Sequence, residues 1–182
     1  MSQFLTYSDI SSFRQGLNES RILQKAQESV RLKDTFLSHS SKDVNILPVI
    51  INILEKHGGL VYVDKIDTSL PPVTTEQTAA ILKKNLQACK HLVLLVTKNS
   101  KDSRWIPWEL GLADGQKGSR RVALFPVAEL AYDTTWTETE YLGLYRRITW
   151  GTITNIQIKP GWIVRNHHTN KATTLRKWLQ ER

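Results

Sequence analysis

A single cysteine, Cys89, in 182 residues excludes an internal disulfide and any zinc site built from several thiolates. This usage fits a reducing compartment. No neighbouring base in the sequence would activate Cys89, so it is expected to be a buried, inert thiol. Long apolar runs are also missing. The longest, such as Leu92 to Val96 and Val122 to Val127, have the length of buried strands and fall short of the ~18 residues a membrane span needs. The first residues have neither the basic region nor the apolar stretch of a secretory signal, so a cytoplasmic protein without membrane association is expected. The chain contains no Gly-rich phosphate loop, no Gly-x-Ser-x-Gly elbow and no His-Glu-x-x-His. Neither His167-His168 nor the pair Cys89 and His91 has metal-ligand spacing, so no metal is expected.

Acidic residues are the scarcer charge, 17 against 25 Lys and Arg, for a formal net charge of +8. The basic residues are scattered in short pairs such as Lys83-Lys84, Arg120-Arg121 and Arg146-Arg147, with no basic helix and no aromatic RNA-binding motif. Nucleic acid is therefore not an expected partner. The excess serves solubility or attracts an anionic small molecule such as a dinucleotide. With 40% hydrophobic and 23% charged residues the composition is that of a globular protein, long enough to bury about 70% of its unfolded surface without staples.

Apolar residues between Ser8 and Leu32 predict one or two amphipathic helices that pack as an extension, residues 1–32. Asp34 to Ser38 reads as a short buried strand, followed by the polar turn His39 to Asp43. Ser40 has N-cap character, with Asp43 three residues on. Val44, Leu47, Ile50, Ile51 and Leu54 then repeat at helical spacing up to the stop at His57-Gly58-Gly59, with a kink expected at Pro48. Leu60 to Asp64 and His91 to Thr97 read as strands on either side of a helix from Glu76 to Ala88. Ser103 is placed to cap a further helix, and Val122 to Val127 makes a fourth strand that stops near Pro126. In the tail, Gly161 to Val164 suggests a strand and Lys171 to Gln180 a closing helix. Its aromatics, Trp136, Tyr141, Tyr145, Trp150 and Trp162, are expected to fill gaps.

Alternating strands and helices with near-continuous apolar strands predict an α/β fold, a parallel sheet covered by helices on both faces. Ligands of such sheets sit beyond the carboxyl ends of the strands. Three loops meet that condition: His39 to Asp43, Asp64 to Pro72 and Asn99 to Glu109. In the last, Trp105 and Glu109 are four residues apart and share a helix face. The plain reading of Glu109 is a helix-start charge compensated by the dipole. The functional reading keeps it ionised beside an aromatic wall, where it orients sugar hydroxyls and stabilises positive charge on a ribose whose glycosidic bond breaks.

Three motifs in order carry a family resemblance over roughly residues 33 to 127. Asp34-Thr-Phe-Leu-Ser-His-Ser-Ser-Lys-Asp43 resembles the first box of Toll/interleukin-1 receptor (TIR) domains. Val61-Tyr-Val-Asp64 with the loop through Pro72 is similar to their second strand and BB loop. Ser103-Arg-Trp-Ile-Pro-Trp-Glu-Leu-Gly111 resembles the Trp-x-x-x-Glu helix of the enzymatic, bacterial stand-alone members. The resemblance implies a flavodoxin-like TIR domain over residues 33–182, with NAD as substrate rather than cofactor. It implies cleavage of the nicotinamide-ribose bond to give ADP-ribose or a cyclic isomer. Glu109 would be the catalytic glutamate and Trp105 its aromatic neighbour. His39, Ser40 and Ser41 would face the NAD, where some relatives have arginines, and Asp64, Lys65 and Asp67 would begin the BB loop beside the nicotinamide or a neighbouring protomer.

The chain also resembles the messenger-producing component of Thoeris-type anti-phage systems, which implies self-association through the TIR domain and an effector protein that senses the messenger. Two other functions are weighed against this one. A non-enzymatic TIR adaptor need not keep Trp-x-x-x-Glu, and a nucleoside deoxyribosyltransferase-like enzyme would use its glutamate as a covalent nucleophile.

Overall fold

The computed structural model describes residues 2–64, 76–103, 105–131, 140–153 and 159–181. Strand β1 (Leu5–Thr6) leads into helices α1 (Tyr7–Arg14) and α2 (Glu19–Ala26). A capping box between Thr6 and Asp9 starts α1, and the Asn18 side chain accepts the amide of Arg21 to start α2. The core alternation follows: β2 (Thr35–Ser38), α3 (Leu47–Lys56), β3 (Val61–Tyr62), α4 (Glu76–Ala88), β4 (His91–Val96), α5 (Trp105–Lys117) and β5 (Val122–Ala128). The chain closes with β6 (Arg146–Gly151), β7 (Gly161–Arg165), β8 (Ala172–Thr174) and α6 (Leu175–Gln180).

The strands lie in the order β3-β2-β4-β5-β6-β7-β8. Every pair from β3 to β6 is parallel, as the alternating pattern predicts, whereas β6, β7 and β8 pair antiparallel, so the sheet is mixed at one end. Side-chain alternation divides the interior between two faces. Leu37, Val93, Leu95, Ala123 and Phe125 point to one core with α3, α6, Ile10 of α1 and Ala26 of α2. Phe36, Leu92, Leu94, Val122 and Leu124 point to the other, with Leu86 of α4 and Leu110 of α5. Each such buried aliphatic side chain contributes about 1.5–3 kcal/mol, so neither face would be stable uncovered.

Several boundaries differ from the sequence expectation. Pro48 does not kink a helix: a 3-10 turn (Ser41–Ile46) precedes α3, and Pro48 sits in its first turn, where a missing N–H is harmless. Strand β5 runs on past Pro126, which stands opposite Val96, to Ala128. The closing helix begins at Leu175 rather than Lys171, because Ala172–Thr174 pairs with β7 and Thr174 caps the helix. The first residues join the sheet: Gln3 exchanges hydrogen bonds with Trp150 of β6, and Leu5 and Thr6 pair with Val127 and Ala128 of β5. The aromatic tail is structural at Trp162, whose ring lies 5.2 Å from Phe125 and 5.5 Å from Trp150. Trp136 falls outside the described residues.

Candidate active site

In a parallel sheet the strand carboxyl ends share one side, and Ser38 ends β2 there with its side chain 2% exposed. Its hydroxyl donates to Oε2 of Glu109, which stands in the second turn of α5, 71 residues further along the chain. Ser103 precedes α5 and accepts the amide of Ile106 at 3.4 Å, which fixes the helix start and hence the carboxylate's approach to β2.

Glu109 is 7% exposed, and burial pushes its carboxyl up to about 7; the nearby negative Asp64 adds to this, while the Ser38 hydroxyl pulls the other way. Burial thus works against the charged form that the functional reading expects. Near neutral pH the group therefore divides between its acid and its base forms.

Asp64 follows β3. Its Oδ1 accepts the Tyr62 hydroxyl at 2.8 Å and approaches Asn85 Nδ2 of α4 at 3.5 Å, and the same amide donates to the Tyr62 oxygen at 2.9 Å. Tyr62 is held above the ordinary phenol range by burial and by Asp64, so it remains a neutral donor that fixes the aspartate. His39, next to Ser38, is held below the ordinary imidazole value by burial, against the opposing pull of Asp43 and Asp64. It is a neutral imidazole at pH 7, with Nδ1 3.4 Å from the Leu37 carbonyl.

The other expected residues are placed less alike. Ser40 is buried, and its oxygen accepts the amide of Lys42 at 3.4 Å, so it caps the 3-10 turn rather than facing outward. Ser41 is exposed. Trp105 is half-buried against the core beneath α5, its ring 5.5 Å from Trp108 and nearly perpendicular to it, so it has a packing role whatever else it does. Lys65 and Asp67 lie outside the described residues. The structure thus gathers Glu109, Asp64 and His39 and leaves Ser40 to capping.

Two further groups escaped the sequence reading. Ser38 is marked in the sequence only as the polar residue that ends the strand read from Asp34. Asp43, 2% exposed, accepts Thr97 Oγ1 at 2.7 Å and Asn99 Nδ2 at 2.6 Å, which ties the loop after β2 to the loop after β4. Elsewhere, Cys89 is buried with its thiol pushed up to about 12, an inert group as expected. Among the described residues no His, Cys, Asp and Glu cluster suits a metal, and no helix is long and apolar enough to cross a membrane.

Residues 35–156 match the family model described as TIR domain. The chain belongs to the TIR domain family. Over 166 residues, 88% of this chain and 83% of the relative, it is 39% identical to a protein of Bacillus cereus (strain MSX-D12) named Probable 3' cyclic ADP-D-ribose synthase ThsB'. It is also 31% identical over 93 residues to the Putative cyclic ADP-D-ribose synthase TIR2 of Cytobacillus dafuensis, a match covering 50% of this chain and 24% of that protein. The matched TIR region includes β2 with Ser38, Asp64 after β3, and α5 with Glu109.

Proposed function

We propose that this TIR protein cleaves the nicotinamide-ribose bond of NAD and releases nicotinamide with ADP-ribose or a cyclic ADP-ribose isomer, as a signal in anti-phage defence. The observation that carries the reading is the buried Glu109 carboxyl, bonded by Ser38 at the carboxyl end of a parallel sheet. As the glycosidic bond breaks, its electron pair leaves with nicotinamide and positive charge develops on the ribose. An ionised Glu109 in a site of low dielectric stabilises that charge far more than water does. With its carboxyl near 7, Glu109 can then take the proton of the hydroxyl that attacks the ribose, either from water or from ADP-ribose itself. The names of the relatives, cyclic ADP-D-ribose synthases, favour the internal hydroxyl.

His39 and Asp64 flank the carboxylate, and Trp105 forms one wall in this reading. Ser41, Lys65 and Asp67 belong to it as contacts of the NAD, and Ser40 as the cap of the turn that carries Ser41. Self-association through the BB loop, followed by an effector that senses the messenger, completes the proposal. Turnover per molecule then rises with protein concentration, and a flat response from a monomer would refute the assembly step.

The test is incubation of the purified protein with NAD and product analysis by mass spectrometry. A TIR adaptor leaves NAD intact. A deoxyribosyltransferase-like enzyme instead exchanges bases between nucleosides and traps a glycosyl-enzyme.

A further inference from the structure

A cavity of about 550 Å³ lies against the antiparallel end of the sheet. Ser119 and Arg120 precede β5 and Arg146 begins β6, so this part of the lining belongs to the amino ends of the parallel strands, opposite Glu109. Four cations from four segments line it: Arg120, Arg146, Lys171 and Lys177. Among the described residues of the lining, Glu181 is the only acid. Among the described residues none of these four cations makes an ion pair.

The groups stand on a fixed frame. The Trp178 indole, itself fully buried, donates to the Arg120 carbonyl at 2.8 Å and ties that turn to α6. The turn carrying Lys171 is closed by Asn166 N–H to the Lys171 carbonyl at 2.8 Å, and the Asn166 side chain accepts the amides of His168 and Thr169. Leu144, 66% exposed, supplies an apolar wall beside the buried Ile153 and Val164. Like charges converging on one cavity repel each other unless an anion sits among them. An apolar wall beside them suits a flat ring, and the volume is that of small-molecule sites.

We propose that this cavity is a second, non-catalytic site for a nucleoside diphosphate, with the phosphates among Arg120, Arg146, Lys171 and Lys177 and the base against Leu144. The proposal is tested apart from the NAD reading, because the variants that test it alter pocket residues and leave Ser38, His39, Asp64 and Glu109 in place.

The experiment is isothermal titration calorimetry of the full chain with ADP, inorganic pyrophosphate and adenosine, each at two salt concentrations. ADP is expected to bind one site more tightly than pyrophosphate, adenosine weakly or not at all, and ADP affinity to fall with salt. Lys171→Gln with Lys177→Gln should weaken ADP by about tenfold per cation removed, and Arg146→Gln by a similar factor, each with an unchanged melting profile by circular dichroism. Glu109→Gln should leave ADP affinity within about twofold, since no pocket group is altered. No heat with millimolar ADP, equal binding of adenosine, or undiminished ADP affinity in the folded pocket variants would overturn the assignment. So would tighter binding of a single-stranded oligonucleotide through the same four residues.

Discussion

Replacing Glu109 by Gln keeps the shape of a buried side chain and removes its ionisation, so its effect on stability should depend on pH in a calculable way. The carboxyl ordinarily titrates at 4.5 and is raised to about 7 in the folded protein. Between those values the folded state binds more protons than the unfolded state, so this group's contribution to stability falls as pH rises. Below 4.5 both states are protonated and there is no penalty. Above 7 the folded protein holds a buried charge, at a cost of about 3 kcal/mol by pH 8 and under about 1 kcal/mol at pH 5. Gln carries no such cost, and its amide oxygen can still accept the Ser38 hydroxyl that Glu109 accepts now. In a domain of this length 1 kcal/mol shifts the melting temperature by about 2–4 °C. Thermal melts at pH 5 and pH 8 should therefore show Glu109→Gln gaining roughly 5–10 °C more over the wild type at pH 8 than at pH 5. A gain independent of pH, or a variant equally destabilised at both, would refute the buried, raised carboxyl.

Ser38→Ala removes the donor that favours the charged form, so the rise of NAD turnover with pH should move to higher pH. An unshifted pH-rate profile would show that Ser38 does not act on the glutamate. His91, fully buried against Trp178 at the amino end of β4 with neither ring nitrogen hydrogen-bonded, is held down to about 4 by burial and neighbouring Arg121. Its folded value lies below the ordinary 6.5, so the unfolded state takes up the proton first and stability is lost as pH falls from 6.5 toward 4. The stability of His91→Leu relative to wild type should rise by about 3 kcal/mol between pH 7 and pH 4, measured by denaturant unfolding. A difference that stays constant would disprove the effect.

The parallel core was legible because Leu92 to Val96 and Val122 to Val127 are buried on both faces and so read as continuous apolar runs. Of the antiparallel end, β7 was legible over Gly161 to Val164, whereas β6 and β8 were not. Strand β6 opens with Arg146 and Arg147, half-buried at its start, and this pair interrupts the pattern that marks a buried strand. β1 is two residues long, too short for any periodicity, and exists through its pairing with β5. Spacing alone merges the 3-10 turn with α3, which is why Pro48 looks like a kink in the sequence and is a first-turn proline in the structure.

At the site, the Trp105 and Glu109 spacing on one helix was visible, while the partnership of Ser38 with Glu109 depends on tertiary approach between β2 and α5. The charge state of Glu109 could not be read from spacing either, since it is set by how deeply the second turn of α5 is covered. The four cations of the cavity lie far apart in the sequence and become a cluster only when the turn before β5, the start of β6, the turn before β8 and α6 come together.

The central claim is that the Glu109 carboxylate breaks the nicotinamide-ribose bond. Incubating equal amounts of folded wild type and Glu109→Gln with NAD, and following nicotinamide and ADP-ribose products by mass spectrometry, tests it most directly. The account predicts nicotinamide released in step with ADP-ribose or its cyclic isomer by the wild type, and a loss of about a hundredfold or more in the variant. Intact NAD after prolonged incubation over a wide range of wild-type concentration, or undiminished turnover by folded Glu109→Gln, would contradict it.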